Sequence, residues 1–157
     1  MIRLEELTII HAPIQLCFDL ARNVEVHLAG NVHWGEQTVA SGGVTSGIIG
    51  LGQHVTWRAK HFGIWQELTS QITALEPPSY FQDVMLRGAF KSMTHDHHFR
   101  SLPSGATEMK DIFVFAAPLP VLGLIAERLV LRRYMQALLH ERNVALKTIA
   151  ESGSVVL

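Results

Sequence analysis

The sequence predicts an α+β fold in which a long C-terminal helix lies across the concave face of a curved antiparallel sheet. The sheet would have about six or seven strands, with two short helices near its start. Strand-like segments joined by tight turns fill most of the chain before Ala117. From Leu119, apolar residues instead recur at helical spacing for roughly thirty residues. Neither a sheet nor an amphipathic helix buries its apolar face alone, so the two must pack together. A curved sheet that grips a helix usually leaves a cavity.

Composition limits the class of protein. The chain has 157 residues, 48% of them hydrophobic, and a net charge of -1, which predicts one domain over 1–157. The near-neutral charge argues against a nucleic-acid partner. Cys17 is the lone cysteine, so a disulfide within the chain and a cysteine-based metal site are excluded. Signal-peptide features and an apolar run of about 18 residues are both missing, so we expect a cytoplasmic protein that is not integral to a membrane.

The first elements alternate between strand and helix signals. Residues 3–11 are strand-like, and Pro13 stands where a proline opens a helix. Apolar residues at helical spacing predict a first short helix over 14–21. Asn23 is a suitable cap for a second short helix, which Gly30 closes.

The middle of the chain is typical of a meander of antiparallel strands. In the clearest segment, Val55, Trp57 and Ala59 alternate with polar residues, as in a half-buried strand. Glycines and prolines separate the segments. The predicted strands are 36–40, 54–61, 64–75, 80–87, 92–100 and 107–116.

The C-terminal helix carries one apolar stripe, and its charged residues, Arg142 among them, mostly fall elsewhere. At 1.5 Å per residue, thirty residues span about 45 Å, enough to cross the sheet. The stripe consists of Leu124, Ala126, Leu131, Met135, Leu138, Leu139, Leu146 and Ile149.

The densest chemical group is the segment 94–98, Thr-His-Asp-His-His. On a strand, His95 and His97 point to one face and Asp96 to the other. A turn near Pro103 places His95 opposite Asp111, and His97 opposite Met109. The turn before this strand places Asp83 beside His95. We therefore expect a row Asp83–His95–Asp111 on the concave face.

Three interpretations of this row remain open. Two histidines and a carboxylate are ligands that Zn²⁺ or Fe²⁺ accepts. Alternatively, His95 is a catalytic acid-base group oriented by Asp83 or Asp111. The interpretation we favour is that buried histidine and aspartate satisfy each other and set the polarity of the cavity. On that basis we expect no metal and no cofactor.

The pattern as a whole resembles a known superfamily. Local matches include Ile10-His11-Ala12-Pro13-Ile14, then Gly50-Leu51-Gly52-Gln53-His54-Val55-Thr56-Trp57, and later Glu76-Pro77-Pro78 and Gly88-Ala89-Phe90-Lys91. With the order of strands and helices, these resemble the START/Bet v 1-like helix-grip fold (the SRPBCC superfamily), in particular bacterial members of the polyketide cyclase/dehydrase-like group. The resemblance covers essentially the whole chain. It implies a ligand cavity but no single activity, because the superfamily includes lipid carriers, hormone receptors, aromatase/cyclases and ring-hydroxylase subunits.

We therefore expect a protein that binds a small hydrophobic or aromatic molecule between the sheet and the C-terminal helix. Two alternatives stay open. One is a cyclase- or dehydratase-like enzyme that uses a His/Asp pair, and the other is an interaction module that forms a homodimer through the outer face of the helix. The residues predicted to line the site are Trp57, His61, Leu68, Phe81, Asp83, Met85, Met93, His95, His97, Met109, Asp111, Phe113, Leu131, Met135 and Leu138.

Overall fold

A computed structural model describes residues 1–40, 43–117 and 124–153, the side chains of 124–127 excepted. Its strands are β1 (Ile2–Ile10), β2 (Gln37–Thr38), β3 (His54–His61), β4 (Ile64–Glu76), β5 (Tyr80–Arg87), β6 (Ser92–Ser101) and β7 (Thr107–Ala116). The helices are α1 (Ile14–Ala21), α2 (Val24–Gly30) and α3 (Leu124–Glu151), and a short 3₁₀ turn covers Val32–Trp34.

The strands form one seven-stranded antiparallel sheet in the order β1-β7-β6-β5-β4-β3-β2. Register shifts in β4, between Thr69 and Ser70 and between Ile72 and Ala74, interrupt its pairing with β5. Such bulges increase the bend and twist of a strand. Helix α3 packs on α1, α2 and β1. The predicted helix-grip α+β fold is confirmed.

Local sequence signals explain where the short helices begin. Pro13 precedes α1 in an extended conformation with φ of -62°, the value that its ring imposes. The side-chain oxygen of Asn23 accepts a hydrogen bond from the Val26 N–H and so caps α2. Both helices place apolar side chains against the sheet, and Phe18 is fully buried between Phe81 and Phe99.

Two groups of buried apolar residues flank the space under α3. One joins α1, α2 and the end of α3 to the sheet, and includes Phe18, Met109 and Leu146. The other includes Phe115 and Leu139. The alternating burial along β7 shows which face of the sheet is inside, because its odd-numbered residues are buried throughout.

Most predicted strand boundaries agree with the structure, and β3, β5 and β7 agree at both ends. The predicted strand 36–40 is shorter, because only Gln37 and Thr38 pair with β3. The predicted start of the long helix at Leu119 lies outside the described residues, and α3 is described from Leu124. The side chains of Leu124 and Ala126, part of the predicted stripe, are likewise not described.

The predicted pairing of β6 with β7 is wrong by two positions. His95 lies opposite Phe113, not Asp111, and His97 lies opposite Asp111, not Met109. The hairpin turn is centred one residue later than predicted, and the chain passes through Gly105 at a φ of +85°, a conformation that favours glycine. A two-residue shift keeps every side chain on its face. The predicted pairing of Asp83 with His95 is confirmed.

None of the helices, as far as the described residues extend, is long and apolar enough to cross a bilayer.

Candidate functional site

A cavity of about 270 Å³ lies between the sheet and α3. Its walls are largely apolar, with Trp57, Leu68 and Phe113 from the sheet facing Leu131 and Met135 from the helix. Polar side chains enter this space at two places. One is the sheet floor, and the other is the rim, where α2 and the segment after it approach α3.

The floor carries four side chains that we call the floor cluster: Asp83, His95, His97 and Asp111. Strands β5, β6 and β7 are neighbours, so their inward residues meet. Asp111 Oδ1 lies 2.9 Å from His95 Nε2 and 2.8 Å from His97 Nδ1. Asp83 Oδ1 lies 3.1 Å from His97 Nε2 and 3.9 Å from His95 Nδ1. The two carboxylates therefore sandwich the pair of imidazoles.

Burial and these contacts shift the four pKa values in different directions. Burial disfavours a charged His97, but hydrogen bonds to Asp111 and Asp83 outweigh burial and raise its pKa. Burial, with the positive charges of His97 and Arg142, lowers the pKa of His95 to about 4 despite Asp111. Burial also works against both carboxylates in their charged form. Hydrogen bonds from the imidazoles nevertheless hold the pKa of Asp111 well below its usual value, and His97 and His95 hold that of Asp83 low. His97 therefore holds a proton more readily than His95 does.

Helix α3 supports the floor cluster from above. Asn143, itself buried, donates a hydrogen bond from Nδ2 to Asp111 Oδ2 at 2.7 Å. Arg142 places Nη2 3.6 Å from Asp111 Oδ1 and 3.4 Å from His95 Nε2. Because a carboxylate only accepts hydrogen bonds, His95 Nε2 carries its hydrogen toward Asp111. The Nδ1 lone pair of a neutral His95 then faces Asp83.

The rim carries a second group, the rim cluster, which consists of His27, Asn31 and Glu36. His27 Nε2 lies 3.0 Å from Glu36 Oε2, and Asn31 Nδ2 donates to the same oxygen. Burial raises the pKa of Glu36, but the charge of His27 and the hydrogen bonds from His27 and Asn31 outweigh burial and leave this pKa below its usual value. The His27 ring also stacks on Trp57, with centroids 3.9 Å apart.

A further polar contact closes the rim beside α3. His61 Nδ1 lies 2.6 Å from the hydroxyl oxygen of Tyr134. Burial lowers the pKa of His61 and raises that of Tyr134. The contact joins β3 to α3 across the cavity, and both residues line it.

The structure brings most of the sequence-predicted site residues to the cavity wall: Trp57, His61, Leu68, Asp83, Met93, His95, Phe113, Leu131, Met135 and Leu138. The others lie outside that lining. Phe81 and Met109 belong to the apolar core around Phe18. Met85 packs against the apolar group that includes Met93, while His97 and Asp111 contact His95 and line a smaller neighbouring pocket. Whether these residues bind a ligand stays a prediction.

Sequence reasoning missed the rim cluster, Tyr134, Arg142 and Asn143. Arg142 was expected to lie away from the apolar stripe, and the structure corrects this, because its side chain reaches the cavity and Asp111. One available signal was the spacing Leu139–Asn143–Leu146, which puts Asn143 on the buried stripe at helical intervals. The rim cluster had no periodic signal, since Glu36 lies in an irregular segment.

Comparisons with known proteins define the fold. No protein-family model and no curated protein matches the chain. Among solved structures, TTHA0849 from Thermus thermophilus aligns with a TM-score of 0.78 at 15% identity, covering 98% of this chain and 100% of that one. A START superfamily protein from Mycobacterium smegmatis aligns with a TM-score of 0.71 at 10% identity, covering 96% and 97%. Ara h 8.0201 aligns with a TM-score of 0.65 at 12% identity, covering 97% and 99%. The chain has the START/Bet v 1-like fold, as the sequence resemblance implies.

Proposed function

We propose that this protein binds a small hydrophobic or aromatic molecule in the cavity between the sheet and α3. The observation that carries the proposal is the cavity itself, about 270 Å³ in volume, with apolar side chains on both walls. Ligand sites typically have about 300–1,000 Å³, mostly apolar walls and a few placed polar groups. The volume of about 270 Å³ lies just below that range and suits a compact ligand.

The position of the polar groups narrows the ligand class. Asp83 and His95 lie at the floor, and Glu36, His61 and Tyr134 lie at the rim. A molecule that spans the cavity would meet hydrogen-bonding groups at both ends and apolar contacts between them. Aromatic side chains on the walls, Trp57, Phe90 and Phe113, favour a planar ring system. The likeness to a START superfamily protein supports ligand binding in general.

A cavity-filling substitution with a matched control tests this proposal. Leu68→Trp adds an indole inside the cavity, whereas Leu86→Trp makes the same change on the neighbouring strand at a side chain that is 56% exposed. Native mass spectrometry of protein purified from its own host should show a bound small molecule in the wild type and in Leu86→Trp. The Leu68→Trp variant should carry much less of it.

Calorimetric titration with 8-anilinonaphthalene-1-sulfonate, an aromatic anion, gives a second readout that needs no natural ligand. Binding should weaken in Leu68→Trp and stay unchanged in Leu86→Trp. A wild type that carries no small molecule and binds the probe no better than Leu68→Trp would refute the proposal.

One observation favours a second candidate, a cyclase- or dehydratase-like proton-transfer enzyme. Asp111 orients the ring of His95, which lines the cavity, as an acid-base catalyst requires. However, the pKa of His95 is about 4, and a general base works best with a pKa near the operating pH. We therefore place binding first. If this protein is such an enzyme, His95→Ala should keep the fold and lose turnover on a screened substrate. Equal activity in that variant would exclude His95 as the acid-base group.

A further inference from the structure

The floor cluster offers three metal-ligand atoms on one side and a supporting carboxylate on the other. Asp83, His95 and His97 each supply one donor atom, and the three atoms lie within 4.8 Å of one another. His95 and His97 are two residues apart on β6 and so share a face, and Asp83 pairs with His95 from β5. The donor set comes from two adjacent strands of one sheet, which fixes its geometry.

Asp111 holds the opposite edge of both rings. Its Oδ1 lies 2.9 Å from His95 Nε2 and 2.8 Å from His97 Nδ1, so each ring can place a hydrogen there and turn its other nitrogen toward Asp83. The second oxygen of Asp111 accepts a hydrogen bond from the buried Asn143. Histidines that bind metals almost always donate their remaining N–H to such a carboxylate, which sets the tautomer and the ring orientation.

We propose that the floor of the cavity is a binding site for one divalent transition-metal ion, with His95 Nδ1, His97 Nε2 and Asp83 Oδ1 as ligands. In a tetrahedral zinc site, donors that lie ~2.0–2.1 Å from the ion are about 3.4 Å apart. The distances from Asp83 Oδ1 to the two nitrogens, 3.1 and 3.9 Å, bracket that value. Two histidines and one carboxylate suit Zn²⁺ and Fe²⁺. The inference departs from the sequence-based expectation of no metal.

The site has access and room for further ligands. Asp83 and His95 line the cavity, so an ion reaches them through the same space that a small molecule would use. Three protein ligands leave at least one coordination position for water or for a ligand oxygen. An ion would take the place of a proton on His97 as the positive partner between the carboxylates of Asp83 and Asp111, because a histidine binds a metal through a deprotonated nitrogen. Arg142 Nη2 lies 3.6 Å from Asp111 Oδ1 and 3.4 Å from His95 Nε2, so its contact with the His95 ring is at Nε2 and not at the Nδ1 atom proposed as a ligand.

Titration of untagged protein, first stripped with a chelator, tests the site with the metal alone. Co²⁺ reports coordination by its visible absorption, and Zn²⁺ binding is measured by calorimetry and by competition with Co²⁺. One ion per chain should bind, and bound Co²⁺ should show the stronger visible absorption of a four-coordinate site rather than the weak absorption of the hydrated ion. Asp83→Asn and His95→Gln should lower the affinity at least about 100-fold, and Asp111→Asn, which leaves the ligands in place, about 10- to 100-fold.

Matched controls come from the other face of β6. Asp96→Asn and His98→Gln make the same chemical changes at positions next to the ligands, but Asp96 bonds to Tyr80 and Gln82, and His98 is exposed. These variants should bind Zn²⁺ like the wild type. Circular dichroism of each metal-free variant shows whether it folds. If a histidine variant does not fold, Asp83→Asn decides the test, because Asp83 is the most accessible member of the floor cluster.

A folded wild type that takes up no Zn²⁺ or Co²⁺ would overturn the proposal. It would also fail if Asp83→Asn bound the ions as tightly as Asp96→Asn, because the ions would then be held elsewhere. The metal site and the hydrophobic-ligand proposal are separable, because Asp83→Asn removes a metal ligand and leaves the apolar walls of the cavity unchanged. That variant should lose Zn²⁺ binding and keep the binding of 8-anilinonaphthalene-1-sulfonate.

Discussion

The floor cluster and the rim cluster join histidine to carboxylate in two parts of one cavity lining, yet the fold holds them differently. Asp111 in the floor cluster has no exposed surface, and the cluster spans three neighbouring strands. The rim cluster belongs to a short helix and the segment after it. The side chains of His27 and Glu36 keep 20% and 12% of their exposure, close to the 18% of Asp83, whereas His95, His97 and Asp111 keep 5% or less.

This difference has a physical consequence. Hydrogen bonds between strands fix the positions of the floor residues, and water does not replace a contact that is lost there. At the rim, the side chains of His27 and Glu36 keep some contact with solvent, so water replaces a lost partner of either one more cheaply. The floor should therefore be rigid and costly to disturb, and the rim adjustable.

The largest expected effect is that of Asp111→Ala. This substitution leaves the two imidazoles and Arg142 without the carboxylate that they share. Removing one member of a buried charge network typically costs about 3–5 kcal/mol of folding free energy. Urea unfolding of metal-free protein should show this loss, with a clearly smaller one for Glu36→Ala at the rim. Equal losses at the two positions would break the comparison.

Asn143→Ala should have the next largest effect. It removes the hydrogen bond to Asp111 Oδ2, and a hydrogen bond to a charged group contributes about 1.5–3 kcal/mol. Its rim counterpart is Asn31→Ala, which removes an amide that donates to Glu36. We expect the rim variant to unfold at a higher urea concentration than the floor variant. The reverse order would mean that the rim is the more rigid end.

Sequence reasoning reached the sheet because alternation and turn residues mark its strands directly. Alternation along β6 placed His95 and His97 on the inner face. This assignment stayed correct despite a two-residue error in the pairing with β7. A shift by two moves a side chain about 6.8 Å along the strand without changing its face. The members of the floor cluster were therefore predictable. The position of Asp111 opposite His97 depended on where the hairpin turns, and that turn is centred one residue later than its residues indicated.

The parts of the site that sequence reasoning missed depend on tertiary packing. A charged residue such as Arg142 is expected in solvent, and its inward position follows from the rotation of α3 over the sheet and from the charge of Asp111. Glu36 lies in a segment that was predicted as strand, although pairing with β3 begins only at Gln37. Its meeting with His27 depends on how the chain turns after α2, which no periodic pattern reports.

A smaller effect is expected from Asn23→Ala, which acts on the rim through the helix that carries His27. The substitution removes the hydrogen bond from the Val26 N–H to the Asn23 side chain, and losing such a cap costs about 0.5–2 kcal/mol. Hydrogen exchange should speed up in α2 and stay unchanged in β6. Faster exchange in both would show that the two ends of the cavity are mechanically one unit, contrary to the comparison.

The smallest expected effect is a pH dependence that belongs to the rim. The pKa of Glu36 is lowered in the folded protein from its ordinary value of 4.5, so the unfolded chain binds the proton more tightly. Glu36 therefore adds stability above pH 4.5, and this contribution is lost as the pH falls through the folded-state pKa. Glu36→Gln lacks it at every pH. Urea unfolding should give the wild type a larger free energy of unfolding than Glu36→Gln at pH 7. This difference should shrink as the pH falls. Other carboxylates titrate alike in both proteins, so the difference in unfolding free energy isolates Glu36. A difference that stayed constant from pH 7 into acid would show that the contact of Glu36 with His27 does not depend on the carboxylate charge.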